Sequence, residues 1–457
     1  MASRVLSPAG NVDCLSQISR DARDARVPET PSPIRQTPPM PTFKRFNDTI
    51  RVALIADVPN WAYARIAEQL LRHLPGHIKC QLYYHHDYDV WNKDATQTFS
   101  DLLAQLQDQR TDIVHFFWRD AIGRFYDVCG KSLIPTFDSM AITSAVYDHL
   151  WLEPKDAPEH YELFNILIAG YVVSSRILHD AYSNLPYYPK PDAVIEDGVD
   201  LEFFQPRNLE RIRRNDRPLR VGWTGNSTWG QYIAPIDFKG LETIIKPAVE
   251  SLRSSGVAVE GCYHDRNDNW LPWEEMPKYF NSLDVYVCAS LIEGTATPVL
   301  EAMACGLPIV STRVGIVPQL FGPLQSQFLL QERTPKAVEA ALRRLAENPE
   351  LRWAISQENL SRIQQWSWKE TAAKYARFFE KIYQDLRGET GRCHKGLKCL
   401  RKSYIERPTA NEDANAELRS ELEQVYAAYH QLQRRRSVVL ATRMASLGRK
   451  LLGQRCG

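Results

Sequence analysis

From Ile50 onward, short and almost unbroken apolar runs alternate with stretches that carry an apolar residue every three or four positions. The runs Ile50–Ala56, Ile78–Tyr84, Asp112–Trp118, Ala141–Val146, Tyr171–Ser174 and Ala193–Ile195 predict strands buried on both faces of a parallel sheet. Between them, Ile66, Leu70, Leu71 and Leu74 mark one helix, and Phe99–Leu106 and Tyr161–Ile168 mark two more. A second block repeats the alternation. Its strands are expected at Leu219–Thr224, Val257–Cys262, Val285–Ala289 and Ile309–Thr312, and its helices at Leu241–Leu252, Met276–Leu283, between Thr334 and about Gln365, and from Trp368 to about Leu386. Strand and helix in strict alternation define an α/β chain of two doubly wound, Rossmann-like domains.

Length agrees, since 457 residues exceed what one core holds. We expect a leader rich in Pro, Ser and Arg at 1–46, an N-terminal domain at 47–205, a polar linker at 206–218 and a second domain at 219–370. A terminal helix at 371–388 is expected to pack back on the first domain. The remaining segment, 389–457, differs in kind. Leu418, Leu422, Val425, Tyr429 and Leu432 follow coiled-coil spacing, and beyond them Arg434, Arg443, Arg449, Lys450 and Arg455 are interleaved with apolar residues. Such a tail suits an anionic membrane surface or self-association.

A formal net charge of +1 gives no field for nucleic acid. Without a signal-like or bilayer-length apolar stretch, a cytoplasmic protein is expected, peripheral on the inner face of the plasma membrane if the tail binds lipid. The nine cysteines lack paired Cys-x-x-Cys spacing and read as reduced thiols; Cys393-His394 with Cys399 makes an incomplete metal set. Asp87-Tyr-Asp89 reads as a polar loop, because two carboxylates alone do not hold a metal.

Chemistry concentrates in Ser290-Leu-Ile-Glu-Gly-Thr-Ala-Thr-Pro-Val-Leu-Glu-Ala-Met-Ala-Cys-Gly306. A buried strand runs into a polar turn and then a helix with Pro298 near its start. Glu293 and Glu301 flank first-turn amides that favour an anion. Carboxylates for hydroxyls and amides for phosphate are what a nucleotide sugar requires.

This stretch, with Asp284-Val-Tyr-Val before it and Pro308-Ile-Val-Ser-Thr-Arg-Val-Gly315 after it, closely resembles the nucleotide-sugar domain of retaining family-4 glycosyltransferases with the GT-B fold. Val194-Ile-Glu-Asp-Gly-Val-Asp200 looks like the family's crossover between domains. The resemblance implies two Rossmann-like domains facing a cleft, followed here by a helical tail, and transfer from a nucleoside diphosphate sugar to an acceptor hydroxyl with retention. Polysaccharide or lipopolysaccharide synthesis, with a glycan or lipid-linked acceptor, is the implied setting. No cofactor or metal is implied.

By the same resemblance Glu301 holds the donor ribose, Glu293 faces the transferred sugar, and Gly294, Thr295, Ala296 and Thr297 lie near sugar and phosphate. Lys239 matches the diphosphate-binding lysine. The family's arginine is missing from Val221-Gly-Trp-Thr-Gly-Asn226, so Gly225 and Asn226 become substitute donor contacts. In the first domain the usual glycine loop is replaced by Asp57-Val-Pro-Asn-Trp-Ala62, which makes Asn60 and Trp61 acceptor-side candidates. His115 stands for the catalytic-site histidine, with Phe117 where a second is customary. Asp148 and His149 complete the acceptor side. These departures also motivate an alternative, a catalytically silent GT-B scaffold in a polysaccharide-assembly complex.

Overall fold

A computed structural model describes residues 48–88, 97–152, 157–231 and 234–406. The leader, Asp89, and the coiled-coil and basic segments lie outside the described residues.

The first domain is a six-stranded parallel sheet in the order β2-β1-β3-β4-β5-β6, built from Ile50–Ala56, Ile78–Tyr84, Ile113–Phe116, Ala141–Val146, Gly170–Val173 and Ala193–Val194. Side chains alternate across β1: Ala53 and Ile55 enter one core, while Ile50, Val52, Leu54 and Ala56 enter the other. That is why the run is apolar at nearly every position. The second domain holds β7 to β10 (Leu219–Gly225, Val259–Asp265, Val285–Cys288, Ile309–Ser311), parallel in the order β10-β9-β7-β8.

The chain passes between domains twice, and the passes lie side by side. Val199 donates its N–H to the Trp366 carbonyl at 2.8 Å and bridges Ser367. Gly198 is needed there, because a Cβ would lie 2.6 Å from the Trp368 backbone nitrogen. Ser367 then caps the helix Trp368–Gly388, its side chain accepting from Glu370 N–H. Ala372, Tyr375, Phe378, Phe379, Ile382 and Leu386 from this helix fill the first domain's core beside the helix Ala62–His73.

Three segments differ from their sequence reading. Residues 206–218 are no free linker: Arg211 and Ile212 are buried, and Arg211 Nε donates to the Leu283 carbonyl at 3.0 Å, fixing the segment to the second domain. The segment 389–406 belongs to the first domain, where the helix Lys395–Glu406 docks through Arg401 Nε on the Ile166 carbonyl (2.6 Å) and Tyr404 against Tyr126. The helix expected at Tyr161–Ile168 begins earlier, as Ala157–Glu162, and loosens into a π-turn over Leu163–Leu167.

Candidate active site in the interdomain cleft

A cavity of about 930 Å³ lies between the domains, walled by the C-terminal ends of both sheets. On the second-domain side, β9 runs through the turn Ser290–Ala296 into the helix Thr297–Ala304. Ala296 takes a left-handed conformation (φ 69°), and no side chain caps the helix. Gly294 is pressed against the other domain, because a Cβ would stand 2.1 Å from the Tyr147 carbonyl oxygen. Only glycine permits that approach. Gly294, Thr295, Ala296 and Thr297 all line the cavity.

Lys239 enters from the turn before the segment Leu241–Ile245. Asp237 holds that turn by accepting from the N–H groups of Gly240 (2.7 Å), Glu242 (2.9 Å) and Thr243 (3.0 Å). The Lys239 ammonium lies 4.8 Å from the Trp229 ring centroid and 2.6 Å from Glu293 Oε1, which also accepts from Ser290 Oγ at 2.7 Å.

Glu301, about one turn into the Thr297–Ala304 helix, faces the same cavity. Burial pushes its carboxyl up to about 8, against the pull of Arg65 and of the Trp273 indole. Trp273 is itself sandwiched, stacked on Phe203 at 3.9 Å and capped by the Arg65 guanidinium at 4.5 Å. Arg65 belongs to the first domain, so a first-domain cation reaches the second-domain carboxylate. A reciprocal contact places Arg266 of the second domain 4.2 Å over Trp61.

Asp197, in the crossover, is buried at the centre of the cavity wall. Burial pushes its carboxyl up to about 7, although the hydroxyls of Thr295, Tyr147 and Thr297 pull it down and Glu196 adds to the rise. Tyr147 bonds in turn to the Tyr375 hydroxyl at 3.0 Å, tying the crossover to the terminal helix.

Of the first-domain candidates, Trp61, Asp148 and His149 line the cavity. Asp148 is gripped by buried Arg119 in a two-bond fork of 3.0 and 2.7 Å. Burial raises its carboxyl, but the Arg119 charge outweighs that and leaves it below the ordinary value. His149 Nε2 lies 3.3 Å from the Glu293 carbonyl oxygen. A carbonyl only accepts, so Nε2 carries the proton; burial pushes the ring's pKa down and keeps it neutral.

Four expected residues lie away from the cavity. His115 is fully buried, bonds to Thr143 Oγ1 at 3.0 Å and is ringed by Phe117, Tyr375, Phe378 and Phe379. Burial pushes it down to about 3, and it does not line the cleft cavity. It faces the helix returning from the second domain, which the strand pattern alone did not place. Gly225 ends β7 against Trp223, and Asn226 spends its Oδ1 on Thr228 and Asn267 within a turn. Asn60 is an exposed left-handed turn residue (φ 65°).

Arg65, Trp273, Asp197, Asp57, Trp118 and Asp120 line the cavity without having been singled out as site residues. Asp197 had a signal, since it sits inside the crossover motif. Arg65 had none, because on its own helix it is an ordinary polar position. Among the described residues no group of three or more His, Cys, Asp or Glu side chains is arranged to hold a metal ion, and no helix is long and apolar enough to cross a membrane.

Two parallel sheets closing on a cleft, each flanked by helices, define a GT-B protein. Residues 269–362, within the second domain, match the family model for glycosyl transferases group 1. The chain is 29% identical over 224 residues to MMP alpha-(1->4)-mannosyltransferase of Mycolicibacterium hassiacum, covering 46% of this chain and 53% of that one. It is 23% identical over 209 residues to D-inositol 3-phosphate glycosyltransferase of Segniliparus rotundus, covering 40% and 45%. The chain thus spans about half the length of these curated relatives. Among solved structures it resembles sucrose-phosphate synthase from Thermosynechococcus elongatus (TM-score 0.52, 14% identity, 73% of this chain and 99% of that one). It also resembles Anabaena HepE, solved with UDP and glucose (TM-score 0.52, 12% identity, 73% and 100%).

Proposed function

We propose that the protein transfers a sugar from a nucleoside diphosphate sugar to an acceptor hydroxyl in the interdomain cleft, with retention at the anomeric carbon. The observation that carries this reading is the convergence of Lys239, Glu293 and Glu301 around the uncapped start of the Thr297–Ala304 helix, inside one cavity walled by both domains. Lys239 and the first-turn amides stabilise the leaving diphosphate, a role that calls for no metal. Glu301 holds the ribose, and Glu293 orients the transferred sugar while charge develops on its ring. The named activities of the relatives, mannosyl transfer and glycosyl transfer to an inositol phosphate, support the reaction class. An O-antigen chain mannosyltransferase among the relatives supports a setting in cell-surface polysaccharide synthesis.

The test is a hydrolysis screen across UDP-, GDP- and dTDP-sugars read by released nucleotide, with Glu301→Ala and Lys239→Ala as controls. Release that persists undiminished in both variants would overturn the assignment. The burial of His115 favours one second reading, a catalytically silent GT-B scaffold. Thermal shift across a nucleoside diphosphate panel separates the two, because the silent scaffold gives no shift with any of them.

A further inference from the structure

The first-domain wall of the cavity carries an aromatic ring and carboxylates that the donor chemistry does not use. Trp118 follows β3 and is 41% exposed while lining the cavity. The His85 ring packs against its indole at 4.9 Å, and Asp120, two residues further on, lines the cavity with it. Asp57, at the end of β1, lines the same wall, and its Oδ1 is buried with no hydrogen-bond partner. An indole beside hydrogen-bond acceptors matches a pyranose, whose C–H face stacks on the ring while its hydroxyls donate to the carboxylates.

The charges around this wall select further. Among the described lining residues the only lysine and arginine are Lys239 and Arg65. Lys239 is paired with Glu293, and Arg65 lies over Trp273 beside Glu301. Arg119 is spent on Asp148, and Arg266 on the Trp61 ring. His85 packs on Trp118, and buried His149 faces the Glu293 carbonyl. The wall itself presents Asp57, Asp120 and Asp148. A phosphate there would meet carboxylates without an uncommitted Lys or Arg, which is both repulsive and costly in desolvation.

We propose that this wall is an acceptor subsite for an uncharged sugar ring, stacked on Trp118 and hydrogen-bonded to Asp57 and Asp120, and that it rejects acceptors bearing a phosphate. The proposal rests on the glycosyltransferase reading and narrows its acceptor to a neutral glycan end.

Saturation-transfer NMR on the full chain tests it without turnover. The probes are methyl α-mannopyranoside, methyl α-glucopyranoside and maltose, set against mannose 6-phosphate and myo-inositol 1-phosphate. At least one neutral glycoside receives saturation, and the phosphorylated probes receive none. Trp118→Ala weakens neutral-glycoside binding about tenfold, whereas Trp118→Phe, which keeps a stacking face, retains most of it. Asp57→Asn relaxes the rejection of phosphate. Equal binding of phosphorylated and neutral probes, unchanged binding in Trp118→Ala, or no saturation of any neutral glycoside each overturns the proposal. Thermal shift with UDP and GDP on the same samples reads the donor side separately, so a lost donor site and a lost acceptor subsite give different results.

Discussion

Lys239 and Glu293, 54 positions apart in the chain, form a 2.6 Å ion pair inside the cleft. A donor diphosphate must compete with the carboxylate for the same ammonium. Removing each partner therefore has opposite consequences. Lys239→Ala weakens nucleoside diphosphate binding by about tenfold or more, as expected for a lost charge-assisted contact. Glu293→Gln leaves that affinity equal or tighter while turnover falls. Calorimetry with UDP or GDP beside the donor-hydrolysis rate checks both, and loss of nucleotide affinity in Glu293→Gln would count against the competition.

The Glu301 carboxyl, pushed up to about 8 by burial, must be ionised to accept from two ribose hydroxyls together. Nucleotide affinity therefore rises from pH 7 to pH 9, with proton release on binding. Glu301→Gln flattens this profile and weakens binding. Isothermal titration in two buffers of different ionisation heat measures both, and a profile equally flat in wild type would contradict the role.

Asp197, pushed up to about 7, has a folded value above its ordinary range. Its stabilising contribution is complete below about pH 4 and is lost as pH rises through 7. Asp197→Asn accordingly melts a few degrees above wild type at pH 8.5 and gains little at pH 5. Scanning calorimetry at the two values decides it; a gain independent of pH would show that burial of the charge is not the cause.

His115 fills an aromatic cage, so His115→Ala should cost about 3 kcal/mol in stability through the cavity it leaves and leave nucleotide affinity unchanged. Urea unfolding and thermal shift with UDP or GDP check the two halves. Loss of nucleotide binding at full stability would return His115 to the site.

The Arg65–Trp273 and Arg266–Trp61 contacts cross the cleft in opposite senses. Each is worth about 0.5–2 kcal/mol. Arg65→Ala combined with Arg266→Ala should open the domains, raising the radius of gyration in solution scattering, and nucleotide binding should reverse less of that opening than in wild type.

The sheets were legible because β1, β3 and β4 are buried on both faces and largely apolar, a pattern few other environments produce. The donor side was legible because Glu293, Gly294 and Glu301 lie within one strand-turn-helix unit. What escaped were contacts made between distant segments. Arg65 is a polar position on its own helix and acquires meaning only where the second domain brings Trp273 and Glu301 to it. His115 was placed at the site by resemblance, and the helix Trp368–Gly388, more than 250 positions later, encloses it. Asn226 carries a side chain suited to phosphate, yet its Oδ1 is held in a turn by Thr228 and Asn267 and the residue does not line the cavity.

Because the helix Trp368–Gly388 and the Arg401-bearing helix complete the first domain's core, that domain is assembled from both ends of the described chain. On the ribosome the second domain, being continuous, has its whole sheet available before the first can bury Val52, Leu54 and Phe117 behind Tyr375 and Phe379. The order of maturation is thus the reverse of the order of synthesis, and the apolar face of β1 waits for the last helices to arrive.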